Sequence, residues 1–308
     1  MLKNAIRRSA REYSDMRDAI FEELFEMAIA DKKIILLAGD QGAQSFKKFQ
    51  KHIPEQFINA GIAEQNMIGV GAGLALAGKK PFLHAIANFL TLRCYEQIKI
   101  SLGIMELPVV LIGIGSGYAY GNDGPTHHAD QDVAVMRAIP GITILNVSDT
   151  VSASAFPHLA ASISKPTYIR LDKGTFPAIY KEDHDFNEGL ALLRPGSDVV
   201  IVSTGIMAHT ALAVSESLKL AGIQAGVIDL YRIKPLNEQL LFDFLKSAKT
   251  IVTLEEHAAY GGIGSVTSDF LCDYGISSRF KRFGLADCAI FDYGSREWFH
   301  DLRGLDTA

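Results

Sequence analysis

Short apolar runs that stop at glycine or a polar residue alternate along this chain with stretches whose apolar side chains recur at helical spacing. That alternation restricts the fold to α/β units built on parallel sheets. The first run, Ile34-Ile35-Leu36-Leu37-Ala38-Gly39, is apolar throughout and ends at Asp40, the pattern of a strand buried on both faces. Similar runs occupy residues 81–86, 108–114, 142–147 and 167–171. Helical spacing marks residues 15–30, through Ala19, Ile20, Leu24, Phe25 and Met27, and then residues 63–77, 91–102, 131–138 and 150–162. Residues 173–196 are polar, contain two prolines and read as a connection between units rather than a packed element. A second series follows, with apolar runs at 198–205, 225–230 and 250–256 and helices at 207–221, after Pro235 and after Gly264. The predicted fold is α/β with two doubly wound, mostly parallel sheets, residues 15–180 and 181–308, behind a short arm over residues 1–14.

At 308 residues and 48% hydrophobic, the chain can supply a core to each unit. Its net charge of -5, with acids and bases intermixed, argues against a nucleic-acid partner. Cys94, Cys272 and Cys288 stand far apart without a CxxC, which excludes a disulfide framework or a zinc site and suits a reducing cytosol. The first residues carry no apolar h-region, so no secretory signal is expected. No apolar run approaches the roughly 20 residues of a membrane span. A cytoplasmic location is the expectation.

Ligands of open parallel sheets gather at the carboxyl ends of the strands. Those ends carry Asp40, the loop around Phe89 and the loop over residues 115–130. Asn59-Ala60-Gly61-Ile62-Ala63-Glu64 leads into a small-residue helix with one carboxylate at its mouth. By itself Glu64 needs no role beyond favouring the helix dipole. Gly121-Asn122-Asp123-Gly124-Pro125-Thr126-His127-His128 packs a carboxylate and two imidazoles into one turn. Adjacent histidines point apart and no third ligand follows, so proton transfer or contact with substrate hydroxyls fits better than a metal site. The Gly261-Gly262-Ile263-Gly264 turn lacks the dinucleotide fingerprint and reads as a tight turn opening a helix.

The ordered set of the Glu64 stretch, the aromatic in IANFLTLRCYEQI, NDGPTHH, PTYIRLDKG and LEEHAAYGGIGS resembles the transketolases and the similar deoxyxylulose-phosphate synthases, across roughly residues 15–305. The resemblance implies a pyrimidine-binding domain followed by a transketolase C-terminal domain, and thiamine diphosphate as cofactor. It implies catalytic roles for Glu64, against the pyrimidine N1′, and for His127. It places Phe89 against the pyrimidine ring, with Ile62 and Arg93 also at the cofactor. Asp123 and His127 are implied at sugar hydroxyls, and Arg170 or Lys173 at a substrate phosphate.

Two departures qualify that picture. The loop Gly113-Ile114-Gly115-Ser116-Gly117-Tyr118 lacks the basic residue that related families place there, and His128 stands where glutamine is commoner. The Mg²⁺ that holds the diphosphate needs oxygen ligands, and Gly39-Asp40-Gln41-Gly42 and Asn122-Asp123-Gly124 are only near misses to that motif. No metal site is expected on this chain. The expectation is a separate N-terminal transketolase subunit carrying the diphosphate-binding domain and Mg²⁺, in an α2β2 assembly acting on sugars or sugar phosphates. The rivals are a β subunit of a 2-oxoacid dehydrogenase E1 component, a deoxyxylulose-phosphate-synthase-like enzyme and an inactive scaffold subunit.

Overall fold

The computed structural model describes residues 15–40 and 44–307. The arm expected over residues 1–14 lies outside the described residues, as do Gln41 and Gly42 of the near-miss motif. The apolar runs form strands β1 (Ile34–Ala38), β2 (Phe57–Asn59), β3 (Lys80–Ile86), β4 (Val110–Ile114), β5 (Thr143–Asn146) and β6 (Thr167–Leu171). The later series supplies β7 (Ala191–Arg194), β8 (Val199–Ser203), β9 (Ala225–Asp229), β10 (Arg232–Lys234), β11 (Thr250–Ala258) and β12 (Arg279–Leu285). A seven-stranded sheet runs β10-β5-β6-β4-β3-β1-β2 and a five-stranded sheet runs β12-β11-β8-β9-β7. All neighbours are parallel except β10 against β5 and β7 against β9. Every residue of β1, β4, β5 and β6 is buried, which is why those segments read as unbroken apolar runs.

The first unit carries helices α1 (Met16–Ala30), α2 (Gln44–His52), α3 (Glu64–Leu76), α4 (Ala87–Thr91), α5 (Asp132–Arg137) and α6 (Thr150–Ser162). The second carries α7 (Met207–Leu220), α8 (Glu238–Leu245), α9 (Ile263–Asp273) and α10 (Arg296–Arg303). Asp15 caps α1 by accepting from Arg17 N at 2.7 Å and also accepts from Gly174 N at 2.9 Å, tying the helix start to the turn after β6. The single helix predicted over residues 91–102 is broken: α4 ends at Thr91, and helix resumes at Tyr95–Gln97 before a π-helix at Ile98–Ile104.

Two expectations are corrected. The connection over residues 173–196 packs: Tyr180 and Phe186 are buried, and β7 pairs with β9. Its aromatics are spaced without period, so the sequence gives no regular signal for that burial. The separation of the sheets is also incomplete, because β10 leaves the later series to pair Arg232 with Leu145 and Lys234 with Ile144. One apolar core follows the same course, from Met67 and Leu83 through Met136 and Ile144 to Ile233, Leu241 and Ile263. The glycine turn does open a helix, as expected. Glu255 accepts from the backbone of Ile263 at 2.7 Å and Gly264 at 2.8 Å, satisfying the start of α9.

Candidate active site

Strands β6, β4, β3 and β1 are neighbours and parallel, so the segments leaving their carboxyl ends lie side by side. These segments are the Asp172-Lys173 turn, the loop from Gly115, helix α4 and Gly39-Asp40. Beyond β2, Gly61 adopts φ +67°, a left-handed turn that sets Glu64 as the first residue of α3. Asn59 steadies the turn by accepting from Gly61 N at 2.9 Å. The Glu64 carboxylate is buried and receives Arg93 Nη1 at 2.6 Å. Helix α3 comes close to the sheet because Gly71 has no side chain; a Cβ there would stand 2.8 Å from Leu83 Cδ2.

From Glu64 a continuous line of side chains crosses the strand ends. The guanidinium of Arg93 also lies over the Phe89 ring, 4.4 Å from its centroid. The other partner of Phe89 is His127, edge-on at 5.0 Å between centroids and 67° between planes. Asn88 Nδ2 donates to Thr126 O at 3.0 Å, and Thr126 Oγ1 lies 3.0 Å from His127 Nδ1, which fixes the turn carrying His127 over α4. Tyr120 is 6.0 Å from the His127 ring, and Lys173 Nζ sits 3.9 Å from the centroid of Tyr120. Burial pushes the Tyr120 phenol pKa up. Gly115, at φ +92°, admits that ring: a Cβ would fall 2.1 Å from Tyr120 Cε2.

The structure thus brings Glu64, Arg93, Phe89, His127 and Lys173 onto one edge. Ile62 flanks it with 77% of its surface exposed, and Asp123 lies exposed in the turn Gly121–Asp123. Arg170 is a correction. Its guanidinium is buried, with Nε 2.8 Å from Asp132 Oδ2 and Nη2 donating to Ala129 O at 2.9 Å and Glu256 O at 3.1 Å. Burial opposes its charge, and Asp132 with Tyr168 and Glu256 reverses that. A guanidinium so engaged is part of the interior, whereas Lys173 lies partly exposed beyond the end of β6. His128 points away from His127 into a packed cluster with Tyr118 and Phe299, and burial lowers its pKa. Sequence reasoning missed Asn88, Tyr120 and Asp172. Tyr120 and Asp172 lie in segments already singled out, and their nearness to His127 and Lys173 was the available signal.

Alongside this edge α3 turns a bare face outward. Asn66, Gly69, Val70, Gly73 and Leu76 recur on it at helical spacing and are exposed, and a Cβ on Gly69 or Gly73 would meet nothing within 4 Å. Small residues there serve no packing among the described residues. As for a cofactor, Glu64 and Phe89 are bridged by one planar cation, so an acceptor carboxylate and a ring face both lie within reach of a single planar group. An aminopyrimidine has that shape and that hydrogen-bonding edge, and the residues fit it.

Comparison with known proteins decides the family. Residues 12–178 match the family model of the transketolase pyrimidine-binding domain, and residues 189–307 match that of the transketolase C-terminal domain. The chain belongs to the transketolase family. It is 33% identical over 293 residues to one of the subunits of an apulose-4-phosphate transketolase from Phocaeicola vulgatus, covering 94% of this chain and 93% of that one. It is 36% identical over 293 residues to the SqwH subunit of a 6-deoxy-6-sulfo-D-fructose transketolase from a Clostridium species, covering 94% and 90%. A solved split-gene transketolase, an inactive β4 tetramer, superposes with a TM-score of 0.87 at 33% identity over 95% of this chain and 94% of that one. Human transketolase is 35% identical over 258 residues, but the match covers only 41% of its length. This transketolase is therefore of the split type, a subunit of a thiamine-diphosphate-dependent transferase.

Proposed function

We propose that this chain supplies the pyrimidine half of a thiamine diphosphate site in an enzyme that moves a two-carbon ketol unit from a ketose to an aldose. The observation that carries this reading is the buried Glu64 carboxylate linked through Arg93 to the face of Phe89. When bound, thiamine diphosphate supplies the carbanion chemistry. Glu64 would hydrogen-bond the pyrimidine N1′ and Phe89 would offer it a ring face, while Arg93, exposed over 42% of its side chain, has solvent to move into. Ile62 covers the open side. His127 holds and passes a proton at a sugar hydroxyl, and Asp123 accepts from a second hydroxyl. Lys173 takes the anionic end of the substrate; the substrates named for the Phocaeicola and Clostridium relatives carry a phosphate and a sulfonate.

The functional division proposed is a pyrimidine-binding domain over residues 15–180 and a C-terminal domain over 181–308. The diphosphate and its Mg²⁺ fall to a partner chain, in an α2β2 assembly. The bare face of α3 beside Glu64 supports this, since a partner seated there would close the cofactor site and give Gly69 and Gly73 a packing role. A related β4 tetramer described as inactive supports the need for a second kind of chain. No helix of the described residues is long and apolar enough to cross a membrane. A cytoplasmic home suits the three free cysteines. The test is calorimetry of thiamine diphosphate with Mg²⁺ on this chain alone and on the chain with its co-purifying partner. Tight binding only in the second case is expected. Tight binding to the isolated chain would overturn the split site.

A further inference from the structure

At the loop where related families carry a basic residue, this fold delivers one from the far end of the chain. Arg296, the first residue of α10, reaches Ser116 and Asp172 at the substrate edge. Its Nη1 donates to Asp172 Oδ1 at 2.8 Å, and its Nη2 to Asp172 Oδ2 at 2.5 Å and to Ser116 O at 3.0 Å. Its Nε lies 3.0 and 2.9 Å from the two oxygens of Glu256. Every nitrogen of the fork is engaged and the side chain is only 12% exposed, so Arg296 is not itself placed to bind an anion. We propose that Arg296 is a positioning residue: it fixes the Ser116 loop and the Asp172-Lys173 turn so that Lys173 meets the anionic group of the substrate. The inference rests on the transketolase reading above and concerns how its substrate end is built.

Three observations carry it. First, Asp172 passes the constraint on, accepting from Lys173 N at 2.7 Å and from the Ser116 hydroxyl. Second, Glu256 holds the same loop by accepting from Tyr118 N at 2.7 Å, and Gly117 at φ +52° leaves room for its carboxylate. The loop held in this way carries Tyr120, on whose ring Lys173 rests. Third, the charges require it. Asp172 and Glu256 are both buried, and without Arg296 both carboxylates would lose their guanidinium beside the place an anion must enter, with His300 alone left against Glu256 at 3.3 Å. Burial would raise the Glu256 pKa; Arg296, aided by His300, instead holds it down at about 2. An Arg296 that only fastened the C-terminal unit to the first would not need to touch the residue next to Lys173.

The test uses the full chain assembled with its partner, as wild type, Arg296→Gln and Arg296→Lys, with inorganic phosphate as the probe. The acetylation rate of Lys173 by an amine-acylating reagent is read by mass spectrometry with and without phosphate. Amide exchange is read over residues 115–119 and 172–174. Phosphate is expected to slow acetylation in wild type, and Arg296→Gln to weaken that protection by about tenfold while exchange rises in those two segments. Lysine keeps the charge but cannot span Ser116, Asp172 and Glu256, so Arg296→Lys gives an intermediate loss; it is the deciding variant should the glutamine variant fail to fold. Absence of phosphate protection in wild type, or unchanged protection and exchange in either folded variant, overturns the proposal. Should the complex bind no thiamine diphosphate while these readouts behave as expected, the functional reading fails and the positioning role stands.

Discussion

Arg93 Nη1 meets Glu64 Oε2 at 2.6 Å while the same guanidinium covers Phe89, so one exposed cation occupies both surfaces to which a pyrimidine would bind. Of the pair, Glu64 is the buried partner and Arg93 the one able to leave. Replacement of Arg93 by a planar heterocycle would leave the carboxylate with a hydrogen-bond partner, which matters because an unpaired buried carboxylate is costly.

Glu64→Ala removes the buried carboxylate that Arg93 meets. Turnover of the assembled enzyme should fall by at least about 100-fold, while circular dichroism and the melting temperature of the chain stay near wild type. Activity within an order of magnitude of wild type would remove Glu64 from the mechanism.

Arg93→Met should act differently with and without cofactor. In the free chain it strips Glu64 of its partner and lowers stability by about 1 kcal/mol. With thiamine diphosphate bound in the complex, calorimetry should find that deficit gone. A deficit unchanged by cofactor would mean Arg93 stays on Glu64.

Lys173 and Arg170 separate cleanly by variant. Lys173→Met should raise KM for a phosphorylated acceptor by about tenfold and leave the melting temperature unaltered. Arg170→Met strands the fully buried Asp132 and should cost about 3–5 kcal/mol of stability in denaturant titration.

The glycines of α3 should divide by face. Gly71→Ala drives a Cβ against Leu83 and should destabilise by about 1–3 kcal/mol. Gly69→Ala and Gly73→Ala meet open space and should each stabilise the free chain by up to about 1 kcal/mol. Sedimentation with the partner should then detect weakened assembly for those two alone.

Asp229 predicts a pH dependence. Burial raises its pKa from the ordinary 3.8 to about 7, against the hydroxyls of Ser148 and Tyr180, which donate to it at 2.6 Å each. With the folded value above the unfolded one, the native state holds the extra proton between those limits. This contribution to stability is therefore full below about 4, declines as pH rises toward 7, and is lost above it. Asp229→Asn should flatten that limb of the melting-temperature profile and raise the melting temperature at pH above 7.

How much the sequence disclosed depended on whether the signal was local. Strand β1 was legible because a strand buried on both faces must be apolar at every position. Glu64, Phe89 and His127 stood out only through the resemblance, which works because each sits in a short motif at a strand or helix end; by residue type alone Glu64 asked for no role beyond the helix dipole. Arg170 and Lys173 could not be told apart by type, yet their places differ: Arg170 lies inside the wholly buried β6, where a cation must be paired, and Lys173 lies beyond its end. Arg296 was out of reach, since the Asp172 it grips is 124 residues away and nothing in either segment names the other. Tyr180 and Phe186 were misread for a similar reason, their burial being set by Phe156 and Tyr231 from distant elements.

The three residues of β10 bear on how this protein can be recombined with its relatives. A chimera joined near residue 185 would take its final strand of the large sheet from the foreign parent, and Ile144 and Leu145 would have to accept an unfamiliar neighbour. Cut the chain there instead, and β5 becomes a raw edge whose unpaired backbone invites another molecule to add itself. A seam after Lys234 keeps β10 with β5 but divides the smaller sheet instead, since β7, β8 and β9 precede it and β11 and β12 follow, so no single cut exchanges one module whole.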